Sequence, residues 1–441
     1  MSVKKDYYLL SRLEGELRIK ILQDAQGKLL RARLEIPSWR GFEVLLKGRL
    51  AEEVPRLVTR ICGLCPWMHH LASVAAVEAC FGVKVPPQVH LWRVFSLLVA
   101  HYGDKLLHFC FLALPDFLQL EPSWKFWTLK EKAPDLFERA LETRQIVQQI
   151  LQILGAATIH PVTALPGGFS KVLSREEYSF IRNKITNLFD FAFYLWEYAQ
   201  RELFSRWEEE AREDSRIETG FLGLVDQKGL FSLWPGRLRL MRPDGSFLDF
   251  LPQDYQNFLA EHLEPWLYAK MPYACVWGEG IVLDPWRPRG IYRANTLARV
   301  NVADGFSTPR AQEALEDFRR RFGRPAQATV LYHWARLMEL IYVAERLKEV
   351  FDKIPYPQDL KILPIRPRAG EGVGCLEAPR GTLIHHYQTD EQGRIVKANL
   401  LVGTTHNIAP LNLEVIKWAQ EQGQGPYDLD TIARRIRAYD P

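Results

Sequence analysis

Two cysteines, Cys62 and Cys65 in R-I-C-G-L-C-P-W-M-H-H (Arg60 to His70), carry the first chemistry legible in this chain. A C-x-x-C spacing lets two thiolates converge on one soft metal or cluster, and the intervening glycine permits the tight turn this requires. Read alone, the motif fits half of a structural zinc site, a redox disulfide, or two ligands of a nickel, iron or iron-sulfur centre. The other cysteines, Cys80, Cys110, Cys275 and Cys375, form no second C-x-x-C, which weakens zinc. A thioredoxin-type pair should follow a strand in a small βαβ unit. Here an Ala-rich helical pattern follows instead, H-L-A-S-V-A-A-V-E-A-C-F-G-V, which favours a packed metal site.

The elements that must position this pair are readable in outline. L-R-I-K-I-L, a Gln-Gly turn and L-L-R-A-R-L-E-I predict a hairpin near the amino terminus. Apolar residues at three and four spacing predict long helices over 91–114, 136–154, 175–207 and 312–350. The Gly/Pro-rich stretches 234–254 and 285–309 read as loops and short strands laid over that helical core. No repeat, low-complexity linker or composition break divides the 441 residues, so one domain over 1–441 is expected. Lys plus Arg at 57 against Asp plus Glu at 53 is too balanced to suggest nucleic acid. The polar start M-S-V-K-K-D-Y-Y and the lack of an uncharged apolar run of roughly 18 residues predict no export signal and no membrane span. Free cysteines without such a signal suggest a reducing cytoplasm.

R-I-C-G-L-C-P-W-M-H resembles the amino-terminal metal motif of nickel-iron hydrogenase large subunits, R-x-C-G-x-C-x-x-x-H. Four more segments match that family in the same order. They are L-E-G-E-L-R-I (Leu13 to Ile19), W-R-G-F-E (Trp39 to Glu43), H-P-V-T-A-L-P-G-G (His160 to Gly168) and E-A-P-R-G-T-L-I-H-H (Glu377 to His386). T-T-H-N at Thr404 to Asn407 is more similar to the soluble cytoplasmic branch. The resemblance implies an α+β, mainly helical fold, a long-helix bundle with peripheral strands that carries its metals deep inside.

It also implies roles for particular residues. Cys62 is expected as a terminal nickel ligand and Cys65 as one bridging to an iron that carries carbonyl and cyanide; each could otherwise be a packed cysteine. His69 is expected to donate to a cysteine sulfur, against the plainer reading of a satisfied helix histidine. Arg380, after Pro379 in A-P-R-G, is expected to hang over the open metal position, where a fixed planar cation suits an anionic centre. Asp104 and Asp440 are expected to hold that arginine. Glu14 matches a glutamate that moves protons away from a nickel-bound thiolate, although Glu16 stands where the family usually has histidine. Glu43 is expected to bind a magnesium-like ion through oxygen, and Thr404 to hydrogen-bond a cyanide ligand. Without these roles, the acids and the arginine would be ordinary solvated or surface-paired groups.

In the family, Asp-Pro is followed by C-x-x-C-x-x-H, which supplies two further nickel thiolates and a magnesium ligand. The sequence in hand stops at Asp440-Pro441 and so is expected to carry two of the four thiolates. Some members have selenocysteine, encoded by UGA, at the next ligand position. A selenium-containing subunit whose reading frame was ended there is the leading expectation, ahead of a split gene or a shortened chain. The function implied is the catalytic large subunit of a cytoplasmic hydrogenase, cleaving dihydrogen into a proton and a hydride. Electrons would leave through an iron-sulfur small subunit toward a heterodisulfide reductase module, a deazaflavin, a nicotinamide or ferredoxin. The alternative is a metal-free homologue acting as a structural partner in an electron-transfer complex.

Overall fold

The computed structural model describes residues 4–38, 40–118, 128–213, 216–356, 360 and 362–439. Asp440 and Trp39 therefore lie outside the described residues. The predicted hairpin is present as β2 (Arg18–Gln23) and β3 (Leu29–Glu35), and β1 (Lys4–Leu9) adds an unforeseen antiparallel third strand. In β2 every second residue is buried, the period-two signature of a strand with one covered face. The Asp24 carboxylate accepts from the backbone N–H groups of Gln26 and Lys28, and Gly27 takes a left-handed φ of 82° to close the turn.

The helical core follows the predicted pattern with two corrections. α1 (Pro66–Phe81) begins directly after the cysteine motif, and α2 (Pro87–Leu107) continues as a wider π-helical turn through Ala113. α3 (Pro134–Gly155) agrees with expectation. The helix expected over 175–207 is two, α4 (Arg175–Glu202) and α5 (Phe204–Glu213). Ser174 caps α4 in a reciprocal capping box with Glu177.

A four-stranded sheet follows, built from β4 (Gly220–Val225), β5 (Arg237–Met241), β6 (Phe247–Phe250) and the short parallel β7 (Tyr292–Arg293). α6 (Thr296–Val302) leads back to the bundle. The helix expected over 312–350 is also split, into α7 (Pro309–Phe322) and α8 (Leu331–Phe351). Gly323, at φ 73°, ends the first, and Pro325 lacks the N–H that would continue it. Every residue of α8 from Leu331 to Glu345 is buried, so it is a central core helix rather than an amphipathic surface one. The stretch Pro87–Asp116 is apolar and long enough to cross a membrane by composition, but 83% of its apolar window is buried inside this fold.

Sequence periodicity did not foresee the sheet that matters most to the site. β8 (Gly370–Ala378), β9 (Gly381–Thr389) and β10 (Ile395–Leu401) form an antiparallel meander, followed by α9 (Gly403–Gln422) and α10 (Leu429–Tyr439). α1 lies flat on β8 because Gly370, Gly372 and Gly374 carry no Cβ on the covered face. A methyl group at these positions would overlap the carbonyl oxygens of Cys80, Ala76 and Ala72 respectively. Gly374→Ala should therefore cost about 3 kcal/mol or more, the upper range for overpacking. Urea unfolding of the variant checks this, and an unchanged midpoint would show that α1 can move away from β8 freely.

Candidate metal centre

The site is assembled at the start of α1. Cys65 is the residue before the first helical turn and Pro66 occupies the first helical position, where a missing N–H costs nothing. Cys62 is extended, and the Cys65 N–H donates to Cys62 Sγ at 3.0 Å. The two Cα atoms are 5.6 Å apart and the sulfurs are bonded as a disulfide. Free backbone N–H groups at a helix start favour negative charge, so reduction would leave thiolates stabilised at this end. Glu14, in the loop between β1 and β2, reaches this pair. One of its oxygens accepts from the Gly63 N–H and the other lies 3.1 Å from Cys62 Sγ.

The helix-on-strand register brings the distant arginine toward the same end of α1. Along the α1–β8 contact, two strand residues match four helix residues: Gly370 faces Cys80, Gly372 faces Ala76 and Gly374 faces Ala72. The match is expected, since two strand residues rise about 6.6 Å and four helix residues about 6 Å. The register therefore runs the carboxyl end of β8, and with it the Pro379–Arg380 turn, toward the amino-terminal end of α1. Arg380 donates to Asp104 Oδ2 at 2.5 Å, and both residues are about 5% exposed. Asn407, within the T-T-H-N segment, donates to the Arg380 carbonyl at 2.8 Å and accepts from the Ala294 N–H.

Below that turn lies a buried charge network to which sequence reading assigned no role. Arg299 makes a two-pronged pair with Glu339 at 2.7 and 2.9 Å and a third bond to Glu377 at 2.8 Å. The same guanidinium donates to the carbonyls of Ala378 and Pro379, fixing the backbone that carries Arg380. Lys105, adjacent to Asp104, pairs with Glu339 at 2.8 Å. Burial would push the Arg299 guanidinium down, but Glu339 and Glu377 together hold it above its ordinary value. Burial pushes Lys105 down to about 8 even with Glu339 beside it. Arg336 is pushed down to about 9, first by burial and then by repulsion from Arg380. Arg380, Arg336, Arg299 and Lys105 thus stand against Asp104, Glu339 and Glu377, four cations to three carboxylates, all of them buried. Glu377 lies within the E-A-P-R-G motif and was the one signal available, whereas nothing in the sequence around Arg299 distinguishes it.

Two expected residues lie apart from the thiols. Glu43 and Thr404 line a common cavity of about 260 Å³ with Ile61, Lys270 and Leu400. Glu43 accepts from Lys270 at 3.0 Å, from the Leu400 N–H at 2.9 Å and from Arg40. Burial would raise its carboxyl, but these donors win and hold it below the ordinary carboxylate range. A hard cation at Glu43 would have to displace Lys270 or Arg40. Gly403, next to Thr404, packs against the Arg380–Gly381 backbone, so this cavity adjoins the arginine turn.

A family profile described as nickel-dependent hydrogenase matches residues 40–126. An F420-non-reducing hydrogenase vhu polypeptide of Methanocaldococcus jannaschii is 38% identical, over 93% of this chain and 97% of its own length. The NAD-reducing hydrogenase HoxS subunit beta of Cupriavidus necator is 32% identical, over 98% of this chain and 92% of its own. This chain belongs to the nickel-dependent hydrogenase large-subunit family. A crystal structure of an NAD+-reducing NiFe hydrogenase in the H2-reduced state superposes with a TM-score of 0.90 at 31% identity, covering 100% of this chain and 98% of that one. The Ni-Fe-Se hydrogenase from D. vulgaris Hildenborough shares the fold at a TM-score of 0.76 and 22% identity, covering 100% of this chain and 98% of that one. The hydrogenase subunit is accordingly an oxidoreductase acting on dihydrogen, the catalytic member of a multi-subunit enzyme with a nickel-iron active site.

The residues present fit that centre in two respects. Cys62 and Cys65 are close enough to share one soft metal, and the excess buried positive charge suits an anionic group. No third thiolate joins them among the described residues, since Cys80, Cys110, Cys275 and Cys375 stand separately as free cysteines.

The buried histidines of the hydrogenase subunit set a pH limit. Burial pushes His69 and His406 down to about 3 and His70 to about 4, and holds His101, His108, His333 and His385 well below their ordinary value. Unfolding lets each bind a proton near its ordinary value of about 6.5, so stability is full above that pH and falls as pH drops below it. The loss is about 1.4 kcal/mol per pH unit for each histidine that stays neutral in the fold. Thermal melts from about pH 7.5 down to about pH 5 should show a steadily falling midpoint, whereas a flat profile would mean that these rings take up protons in place.

Proposed function

We propose that this large subunit holds a nickel-iron centre, its iron carrying carbonyl and cyanide, through Cys62 and Cys65, and uses it to split dihydrogen heterolytically. The observation that carries this reading is the contact of Glu14 with Cys62 at the start of α1, the end toward which the β8 register also runs the Arg380–Asp104 pair. When bound, the centre supplies a soft, electron-rich pair of metals able to polarise dihydrogen and accept its electrons. Arg380, fixed by Asp104 and by the Arg299-braced turn, offers a charged planar donor at a defined place without reorganisation. Glu14 is within reach of Cys62 Sγ and is exposed on its other side, so it can take a proton from the sulfur and pass it to solvent. Asp440 belongs to the same reading as a second partner of Arg380.

Finer assignments follow the same logic. Glu43 would hold a magnesium-like ion, the oxygens of Glu261 and Asn399 standing around Lys270 beside it. Pro379 and Thr404 flank the arginine turn and would border the cyanide ligands. Six cysteines are too few to ligate both this centre and an iron-sulfur chain, so electrons would leave through a separate iron-sulfur small subunit. The acceptor beyond it would be a heterodisulfide reductase-type, deazaflavin-, nicotinamide- or ferredoxin-linked module, in a cytoplasmic complex.

Elemental analysis of the native complex should find about one nickel per large subunit, with iron in excess of nickel because the iron-sulfur partner contributes its own, and with selenium tested alongside. Near-zero nickel in mature material would leave only a metal-free scaffold. Glu14→Gln should retain both metals while losing exchange of hydrogen isotopes with solvent by about 10²-fold or more. Arg380→Lys should lower dihydrogen oxidation by roughly 10²–10³-fold with metals retained. Full exchange in Glu14→Gln would remove Glu14 from the proton route.

A further inference from the structure

The exposed loop that carries Glu14, between β1 and β2, bends twice into the left-handed region, at Arg12 (φ 59°) and at Gly15 (φ 79°). Glycine adopts that backbone freely, whereas an arginine keeps it only where neighbours hold it there. The neighbours lie at the far end of α2. Arg12 Nη1 donates to the Leu112 carbonyl at 2.7 Å, and Arg12 Nη2 donates to the Asp116 carboxylate. Leu112 belongs to the wide turn that ends α2, where carbonyls lack partners within the helix, and Asp116 closes the short turn that follows.

Asp116 also receives a second guanidinium. Arg437, in the last turn of α10, donates through Nε to Asp116 Oδ2 at 2.7 Å and through Nη2 to Oδ1 at 2.9 Å, and its Nη1 donates to the Ser11 carbonyl at 3.1 Å. The Asp116 side chain is 9% exposed and that of Arg437 4%, so water screens the group little. Burial holds the Arg437 guanidinium below its ordinary value; Asp116 opposes that, and repulsion from Arg12 adds to it. One carboxylate thus holds together two cations that would otherwise part. The end of α10 is itself fixed from three sides. His108 Nε2 donates to the Arg437 carbonyl at 2.8 Å, Arg336 to the Ala438 carbonyl at 2.9 Å, and Asn295 to the Tyr439 carbonyl.

We propose that Asp116, by binding Arg12 and Arg437 together, ties the Glu14 loop to α10, so that Glu14 meets Cys62 only while α10 is seated. Asp116, Arg12 and Arg437 are positioning residues, acting on Glu14 through the backbone at Ser11 and Arg12. From there a single residue, Leu13, separates the held backbone from Glu14, whose carboxylate takes the Gly63 N–H and lies 3.1 Å from Cys62 Sγ. On an untethered loop that exposed carboxylate would trade those contacts for water. The consequence for proton transfer rests on the reading of Glu14 as acceptor from the sulfur, but the tether itself does not.

Two measurements on the native complex test this. Trypsin cleavage after Arg12, followed by fragment mass, reads the tether without reference to the metals. Asp116→Asn keeps the shape of the side chain without its charge, and Arg437→Gln removes the guanidinium from α10. Cleavage in both should be on the order of tenfold faster than in the parent. Equal rates overturn the proposal, and if Arg437→Gln fails to fold, Asp116→Asn decides. Exchange of hydrogen isotopes with solvent, counted per nickel, reads the consequence. Asp116→Asn should lower it by about tenfold, because proton transfer is sensitive to misplacement. In a Glu14→Gln background the same change should lower it no further, since residues acting through one group are not additive. Where Glu14→Gln has lost exchange, an undiminished Asp116→Asn, or a full further loss in the double variant, overturns the proposal. Where Glu14→Gln keeps full exchange, the Glu14 reading fails and the cleavage rates alone decide the tether.

Discussion

The contact on which the rest depends is the flat seating of α1 on β8. A helix normally stands about 10 Å from a sheet because side chains fill the gap, but alternate glycines at 370, 372 and 374 remove one layer of them. Backbone then meets backbone, and the pitch of a helix happens to match that of a strand at four residues to two. That near-commensurate register carries the arginine turn at the far end of β8 toward the end of α1 where the cysteines stand. A looser contact would leave Arg380 and Cys65 free to slide past each other, and a catalytic arrangement that slips by even an ångström loses much of its effect.

Charge fixes what packing brings together. Arg299 with its two carboxylates is fully buried, and the desolvation of three ions is costly unless each finds strong partners. They do, since Arg299 also satisfies two carbonyls of the turn and Glu377 accepts from Thr382 and from the Leu224 N–H. Such a network contributes little net stability compared with an apolar core, but it admits few alternative arrangements. Its use here is to specify one position for the Pro379–Arg380 backbone. The extra positive charge, carried by Arg336 and Lys105 at lowered affinity for protons, gives the interior a field that favours an anionic guest.

Much of the helical core was legible because its periodicity is strong. α1, α2 and α3 agree with the sequence pattern to within a few residues. The patterns over 175–207 and 312–350 ran through real breaks because apolar spacing persists on both sides of Leu203 and of Gly323–Pro325. The β8–β10 sheet was missed for a physical reason. Its inner strand β9 is buried on both faces and shows no alternation, while the alternate glycines of β8 leave that strand without an apolar pattern. Of the site residues, Glu14 is found beside Cys62 and Arg380 beside Asp104. Glu43 is found already engaged by two cations, which the sequence did not indicate.

The amino-acid sequence by itself determined the chemistry available: a thiol pair ahead of a helix, an arginine in a proline-glycine turn, and a set of motifs whose order marks one family. Those are local properties, written in neighbouring residues and their spacing. The tertiary structure alone decided which groups meet. Arg299, Glu339 and Lys105 come from three helices and converge with Glu377 beneath one turn, and Ser73 is brought to Tyr387 across 314 residues of chain. No spacing encodes such encounters, because they arise from the packing of whole elements and become fixed only when buried polar groups must find partners.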